Sequence, residues 1–300
     1  MHCKLINMEN IIECRNLSHY YGKRMIYENL SFGVPKGHIL GLLGKNGTGK
    51  TTTINILSGY LEPRNGKCMI FGEDIRKMRP GTKAKIGLLI EGHVQYEFMT
   101  IKEIERFYSA FYPKWKKEAY YELIGKLKVA PGQRISRMSC GQRSQVALGL
   151  ILAQNPDLLV LDDFSLGLDP GYRRLFVDYL REYAKAEGKT VFLTSHIIQD
   201  MERLVDDCII MDYGKILIQC PTKEILDNFR LYSCETDRVP ESDIPGIYHP
   251  YSIKGRLEFG SFLRKNEVAA LLAGNNIRFG QLSDKKATLE DAFISMTGKY

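Results

Sequence analysis

The sequence predicts an α/β fold: a mostly parallel sheet with an inserted helical subdomain and a small C-terminal αβ extension. Three observations point to it. Short apolar runs of strand length, such as His38–Leu43, Leu158–Leu161 and Val191–Thr194, alternate with helical patterns such as Tyr172–Ala186 and Ile197–Val205. Strands of that kind are buried on both faces by the helices between them. Within about 92–156 apolar residues recur at spacings of three and four, which marks a helical block set into the sheet region. Beyond Asn228 a polar stretch with Pro240, Pro245 and Pro250 interrupts the pattern before a smaller αβ segment begins. The expected division is therefore 1–228 and 229–300.

The remaining elements follow in order. Ile11–Ser18 and Met25–Phe32 read as strands, and a helix begins near Lys50. Cys68–Phe71 and Lys85–Ile90 read as further strands. Asp207–Asp212 and Lys215–Ile218 are two strands joined by a turn at Tyr213-Gly214. The last helix has Thr288 at its N-cap and Asp291 three residues on, the reciprocal capping arrangement.

Bulk properties limit the function. The chain has 300 residues, 44% of them hydrophobic, enough for a substantial core. No stretch reaches the roughly 18 to 20 apolar residues of a spanning helix, and Met1-His2-Cys3-Lys4 opens no signal sequence. The expected location is the cytoplasm. Seven scattered cysteines without a CxxC pair indicate reduced thiols rather than zinc or disulfides. The net charge of +7 is mild. The basic stretch Lys114–Lys128 is diluted by Glu118 and Glu122 and reads as a solvated helix face, so no nucleic-acid partner is expected.

Gly44-Lys45-Asn46-Gly47-Thr48-Gly49-Lys50-Thr51 fits G-x-x-x-x-G-K-[ST] between an apolar strand and a helix. Glycines at these places let successive backbone N–H groups turn inward around phosphate oxygens, and the helix that follows aims its positive end at them. Lys50 would reach the β- and γ-phosphates, and Thr51 would offer its hydroxyl to Mg²⁺. The motif alone means a P-loop NTPase; kinases, GTPases and helicases remain open. Asp162 and Asp163 follow the strand Leu158–Leu161, at the end of a strand where such sheets bind ligands. Asp162 is the candidate to hold Mg²⁺ through water, and Asp163 the candidate to orient and deprotonate the attacking water. Met138-Ser139-Cys140-Gly141-Gln142 lies just before another helix and is a second candidate phosphate-binding segment, through the Ser139 hydroxyl and nearby N–H groups. Two such segments on one chain make sense if two copies meet head to tail.

Gly44–Thr51, Met138–Gln142, Leu158–Pro170 and Ser195-His196 stand in the order and spacing of ABC ATPases, and about residues 10 to 228 resemble that family. The resemblance implies an ABC-type nucleotide-binding domain that binds ATP and Mg²⁺. It adds Thr52 to the phosphate loop, stacks Tyr21 on adenine, and places Ser139, Gly141 and Gln142 against the γ-phosphate of a second subunit. Asp169 matches the D-loop and His196 the switch histidine. Glu91 holds the place usually taken by the Q-loop glutamine, near Mg²⁺ or the water. The segment Ala287–Phe293 looks like the tail of bacterial exporter ATPases.

The implied partners are a transmembrane permease subunit and a second ATPase subunit, identical or related. The implied place is the inner face of the cell membrane. A soluble ABC ATPase without a transport role, and a slow ATP-gated regulatory module, are the alternative readings.

Three changes depart from the family pattern. Asp163 replaces the usual glutamate and is shorter by a methylene, about 1.5 Å of reach, which predicts slow turnover. Phe164-Ser165 replaces the usual Pro-Thr. Cys140 replaces the first signature glycine, where a left-handed backbone would carry about 1 to 3 kcal/mol of strain.

Overall fold

The computed structural model describes residues 9–90, 96–126, 129–165, 168–236 and 244–298. The chain begins with a hairpin, β1 (Asn10–Tyr21) and β2 (Arg24–Pro35), turned by Gly22 in the left-handed region. β3 (Ile39–Gly44) leads through the glycine loop into α1 (Lys50–Leu57). β4 (Asn65–Ile70), β5 (Glu73–Asp74), α2 (Pro80–Lys83) and β6 (Ile86–Leu89) follow. The helical block consists of α3 (Ile101–Ser109), α4 (Lys117–Gly125) and α5 (Cys140–Ala153). Alternation resumes with β7 (Leu158–Leu161), α6 (Pro170–Ala186), β8 (Thr190–Thr194), α7 (Ile198–Leu204), β9 (Asp207–Asp212), β10 (Lys215–Pro221) and α8 (Thr222–Asn228). The last part holds β11 (Arg230–Glu235), β12 (Tyr248–Ile253), β13 (Arg256–Ser261), α9 (Lys265–Gly274), β14 (Ser283–Lys286) and α10 (Leu289–Thr297).

These strands form three sheets. The central one runs β10-β9-β3-β8-β7-β6, parallel except for its edge strand β10. The parallel reading holds for this sheet alone. The sheets β2-β1-β4-β5 and β12-β13-β11-β14 are antiparallel. Short connections allow it: a two-residue turn suffices for β1 and β2, whereas each parallel step needs a covering helix.

The period-two alternation of β3 joins the two main cores. Leu40 and Leu42 enter the cluster with Ile12, Tyr27 and Ile56, while Ile39 and Leu43 enter the cluster with Leu161, Leu193 and Phe176. α5 does the same for the helical block. Its Ala147, Leu148 and Ile151 join the central core, and its Val146, Leu150 and Ala153 pack with Ile101, Ile104 and Tyr120. The block is pinned by the α3 capping box, in which Glu103 N donates to Thr100 Oγ1 at 3.2 Å and Thr100 N to Glu103 Oε2 at 2.8 Å. Tyr120 adds a buried bond from its hydroxyl to Ile101 O, 2.9 Å. The sheet from β11 onward has its own core of Tyr232, Leu257, Phe259, Val268 and Leu272.

Gly214, in the turn between β9 and β10, has φ 78°, and a Cβ there would lie 2.6 Å from Ile26 O of β2. Both the backbone sign and the space require glycine. Gly214→Ala is expected to lower unfolding stability by about 2 to 4 kcal/mol, combining strained φ with overpacking against backbone. A urea midpoint equal to that of the parent would refute this.

Candidate functional site

Because β3, β7 and β8 are parallel neighbours, their carboxyl ends lie on one side of the central sheet. That edge carries Gly44, the pair Asp162-Asp163, and Ser195-His196. The topology thus gathers segments more than a hundred residues apart.

The loop after β3 is shaped by glycine. Gly47 and Gly49 have φ of 81° and 102°. A Cβ on Gly49 would lie 2.8 Å from Ile26 and Tyr27 side-chain atoms, and one on Gly44 would lie 2.5 Å from Thr48 Oγ1. The Thr48 hydroxyl donates to Lys45 O at 2.8 Å and tightens the turn. α1 then starts with no side-chain cap and no acidic residue in its first turn. An uncapped helix start with its positive end at a glycine cradle suits an anion. Asn46 and Thr51 are exposed at the mouth of the loop, and Thr52 is buried.

Lys50 is buried, and its ammonium donates to Gly44 O at 2.7 Å and Lys45 O at 3.1 Å. Burial pulls its pKa below the ordinary lysine range, and Asp163 and Asp162 pull it back up. Facing it, Thr194 at the end of β8 binds both acids: its hydroxyl donates to Asp162 Oδ1 at 2.5 Å and accepts from Asp163 N at 3.1 Å. Asp163 in turn receives His196 N at 3.0 Å on one carboxylate oxygen and lies 2.7 Å from His196 Nε2 through the other. Burial pushes the Asp163 carboxyl above the usual aspartate range, with His196 pulling it down and Asp162 raising it further. Its φ of 44° is left-handed, a region that Asp tolerates better than most residues. Phe164 leaves the site and stacks on Phe176 of α6, ring centroids 5.4 Å apart, while Ser165 Oγ lies 3.5 Å from Ser195 Oγ.

The other sequence-derived residues divide. Tyr21 is exposed at the β1–β2 tip with its ring edge-on to His19 at 4.8 Å, and Arg24 across the turn lies beside Gly47. Ser139 caps α5, accepting Gln142 N at 3.2 Å, and its own N–H donates to Gln142 Oε1 at 3.0 Å. Gln142 is thereby engaged in a capping box, and Gly141 is buried in the first turn. Cys140 is the first helical residue and not left-handed, so the strain of a left-handed backbone is absent: the segment expected to precede the helix instead supplies its cap and first turn. Asp169 is the exposed N-cap residue of α6. Glu91 lies outside the described residues. Thr194 and Arg24 were missed by the sequence reading. The place of Thr194 at the end of an apolar strand beside Ser195-His196 was the available signal for it.

A glycine cradle at a helix start, a buried lysine and two acids at neighbouring strand ends define a P-loop nucleotide-binding protein. Comparison with known proteins narrows the class. Residues 27–165 match the family described as ABC transporter. The chain is 28% identical to the Nod factor export ATP-binding protein I of Cupriavidus metallidurans, over 97% of this chain and 99% of that one. It is 29% identical to the bacitracin transport ATP-binding protein BcrA of Bacillus licheniformis, over 97% and 98%. A solved ATP-binding subunit of an ABC transporter superposes with TM-score 0.64 at 26% identity, covering 72% of this chain and 92% of that one. Over 97% of its length the chain is thus similar to ATP-binding subunits of transporters. Among the described residues no helix is long and apolar enough to cross a membrane.

Thr194→Val keeps the shape but removes the group that holds both acids. It is expected to lower ATP turnover on the order of tenfold to a hundredfold, the scale of a small misplacement in a catalytic group. Steady-state rates with an unchanged melting temperature would show it, and a parental rate would refute it. The raised Asp163 carboxyl also sets a pH limit. As pH falls through that raised value the carboxylate takes up a proton and can no longer accept one from water, so the acid limb of the rate profile should lie above the range of an exposed aspartate. An acid limb at or below that range in the pH–rate profile would count against the assignment.

Proposed function

We propose that this chain is the ATPase subunit of an exporter, working as a head-to-tail pair beneath a transmembrane permease. The observation that carries the reading is the convergence of Lys50, Asp162, Asp163 and His196 around one glycine-shaped loop. The names of the exporter and transporter relatives support the direction of transport. The proposed division is a nucleotide-binding domain over 1–228 with an extension over 229–300.

The roles follow from the groups in place. The loop 44–51 and the N-terminus of α1 bind the phosphates, Lys50 supplies positive charge, and Tyr21 offers an exposed ring to the base. Thr51 and Asp162 would hold Mg²⁺, whose charge offsets that of the phosphates. Asp163 accepts a proton from the attacking water, and His196 holds that carboxylate in place. Ser139 and Gly141 of one protomer face the phosphates held by the other, and Asp169 borders the same junction. Binding closes the pair; hydrolysis breaks the bond between the β- and γ-phosphates, the terminal phosphate leaves, and the contact it made across the pair is lost.

Turnover is slow, because the short Asp163 side chain is already committed to His196 through both carboxylate oxygens. The permease meets an aromatic patch on the helical block. Tyr96, Phe98, Phe107 and Phe111 are exposed, with ring centroids 5.2 to 6.0 Å apart along the series. Such a patch on a protein surface marks a binding face, and its Tyr96 follows Glu91 by five positions in the sequence.

Three measurements test this reading. The parent should retain Mg-ATP and self-associate, and Lys50→Ala should do neither. Asp163→Glu should raise the turnover rate; a fall would show that aspartate is no handicap. Phe98→Ser with Phe111→Ser should reduce co-sedimentation with membranes while leaving ATP binding intact.

A further inference from the structure

Helix α10 touches the candidate site from both sides. At its C-terminal end the Lys45 ammonium of the phosphate loop donates to Thr297 O at 2.5 Å. That carbonyl is held in place: Thr297 is buried, its hydroxyl donates to Phe293 O at 2.9 Å, and Gly298 with φ 77° ends the helix. At the N-terminal end Leu289 N donates to Glu202 Oε2 at 2.7 Å, and Gln199 Nε2 donates to Glu290 Oε2 at 2.6 Å. Gln199 and Glu202 belong to α7, which starts two residues after His196. Leu289, Ala292 and Phe293 lie in the same apolar cluster as Met201, Leu204 and Val205. An anion at the helix start and a cation at its end both complement the helix dipole. The nine residues of α10 span about 13 Å.

We propose that α10 is a strut that sets the spacing between the phosphate loop and the segment carrying His196, with Lys45, Gln199 and Glu202 as its positioning residues. This rests on the reading of residues 44–51 as the nucleotide site. A rigid helix bonded to one segment at each end passes a displacement of either to the other. The extension after residue 228 thereby acts on ATP binding through its last helix.

The test is a double-mutant cycle in the full chain, measured as the KM for Mg-ATP and as hydrogen exchange of residues 44–51. Glu202→Ala, at the far end of the helix, should raise KM about fivefold and speed exchange in the phosphate loop, the effect of losing one charge-assisted bond partly open to water. Lys45→Met should do the same, and Lys45→Arg should recover most of the loss. The double variant should be no worse than about twofold beyond either single, because the strut is released once. Multiplied effects would mean that Lys45 acts on nucleotide directly and would overturn the strut. Parental KM and exchange in Glu202→Ala would overturn it as well. If melting shows either variant unfolded, Gln199→Ala, at an exposed position, takes its place under the same criteria. Lys50→Ala separates the two ideas: undiminished Mg-ATP binding there removes the nucleotide reading itself, whereas the strut fails with Lys50→Ala still inactive.

Discussion

A buried ammonium beside two carboxylates is the constraint that the rest of the structure answers. Lys50 has given up most of its water and has carbonyls of its own loop as partners. Asp162 and Asp163 are likewise buried, side by side, where like charges repel. Desolvated charges persist only when each is paired and hydrogen-bonded. The chain meets that requirement with glycines that let carbonyls approach Lys50, a threonine that bridges the two acids, and a histidine against the second of them. The parallel sheet matters because it delivers these groups to one edge, and the cores above and below it matter because they hold that edge still.

The departures from the family pattern are accommodated locally rather than spread through the fold. The shorter Asp163 adopts a left-handed backbone and takes both a main-chain and a side-chain contact from His196. Phe164, where the family has proline, becomes a core residue stacked on Phe176. Cys140 replaces a glycine at no left-handed position, since α5 has already begun there and Ser139 caps it. A substitution that looks severe in a motif is mild where the backbone never needed the glycine.

The segment after residue 228 is bound to the rest of the chain through more than packing. Its own small core is separate, but Phe229, Leu289, Ala292 and Phe293 belong to the central cluster. The polar contacts at the two ends of α10 fall on the phosphate loop and on α7. A segment whose sequence reads as an appendage is therefore continuous with the site.

The sequence by itself determined most strands and helices before Asn228, the glycine loop and the acidic pair. Each is a local pattern: apolar alternation, spacing of three and four, turn residues, or a motif of eight positions. The Thr288 cap could be read because both of its partners lie within one turn. Tertiary structure decided what depends on distant residues. The split into one mostly parallel and two antiparallel sheets is set by strand pairing that no local pattern records. The bridging role of Thr194 appears only when β8 lies beside β7, 32 residues away in the chain. The contact of Lys45 with Thr297 joins residues 252 apart, and no periodicity or spacing carries information over that length.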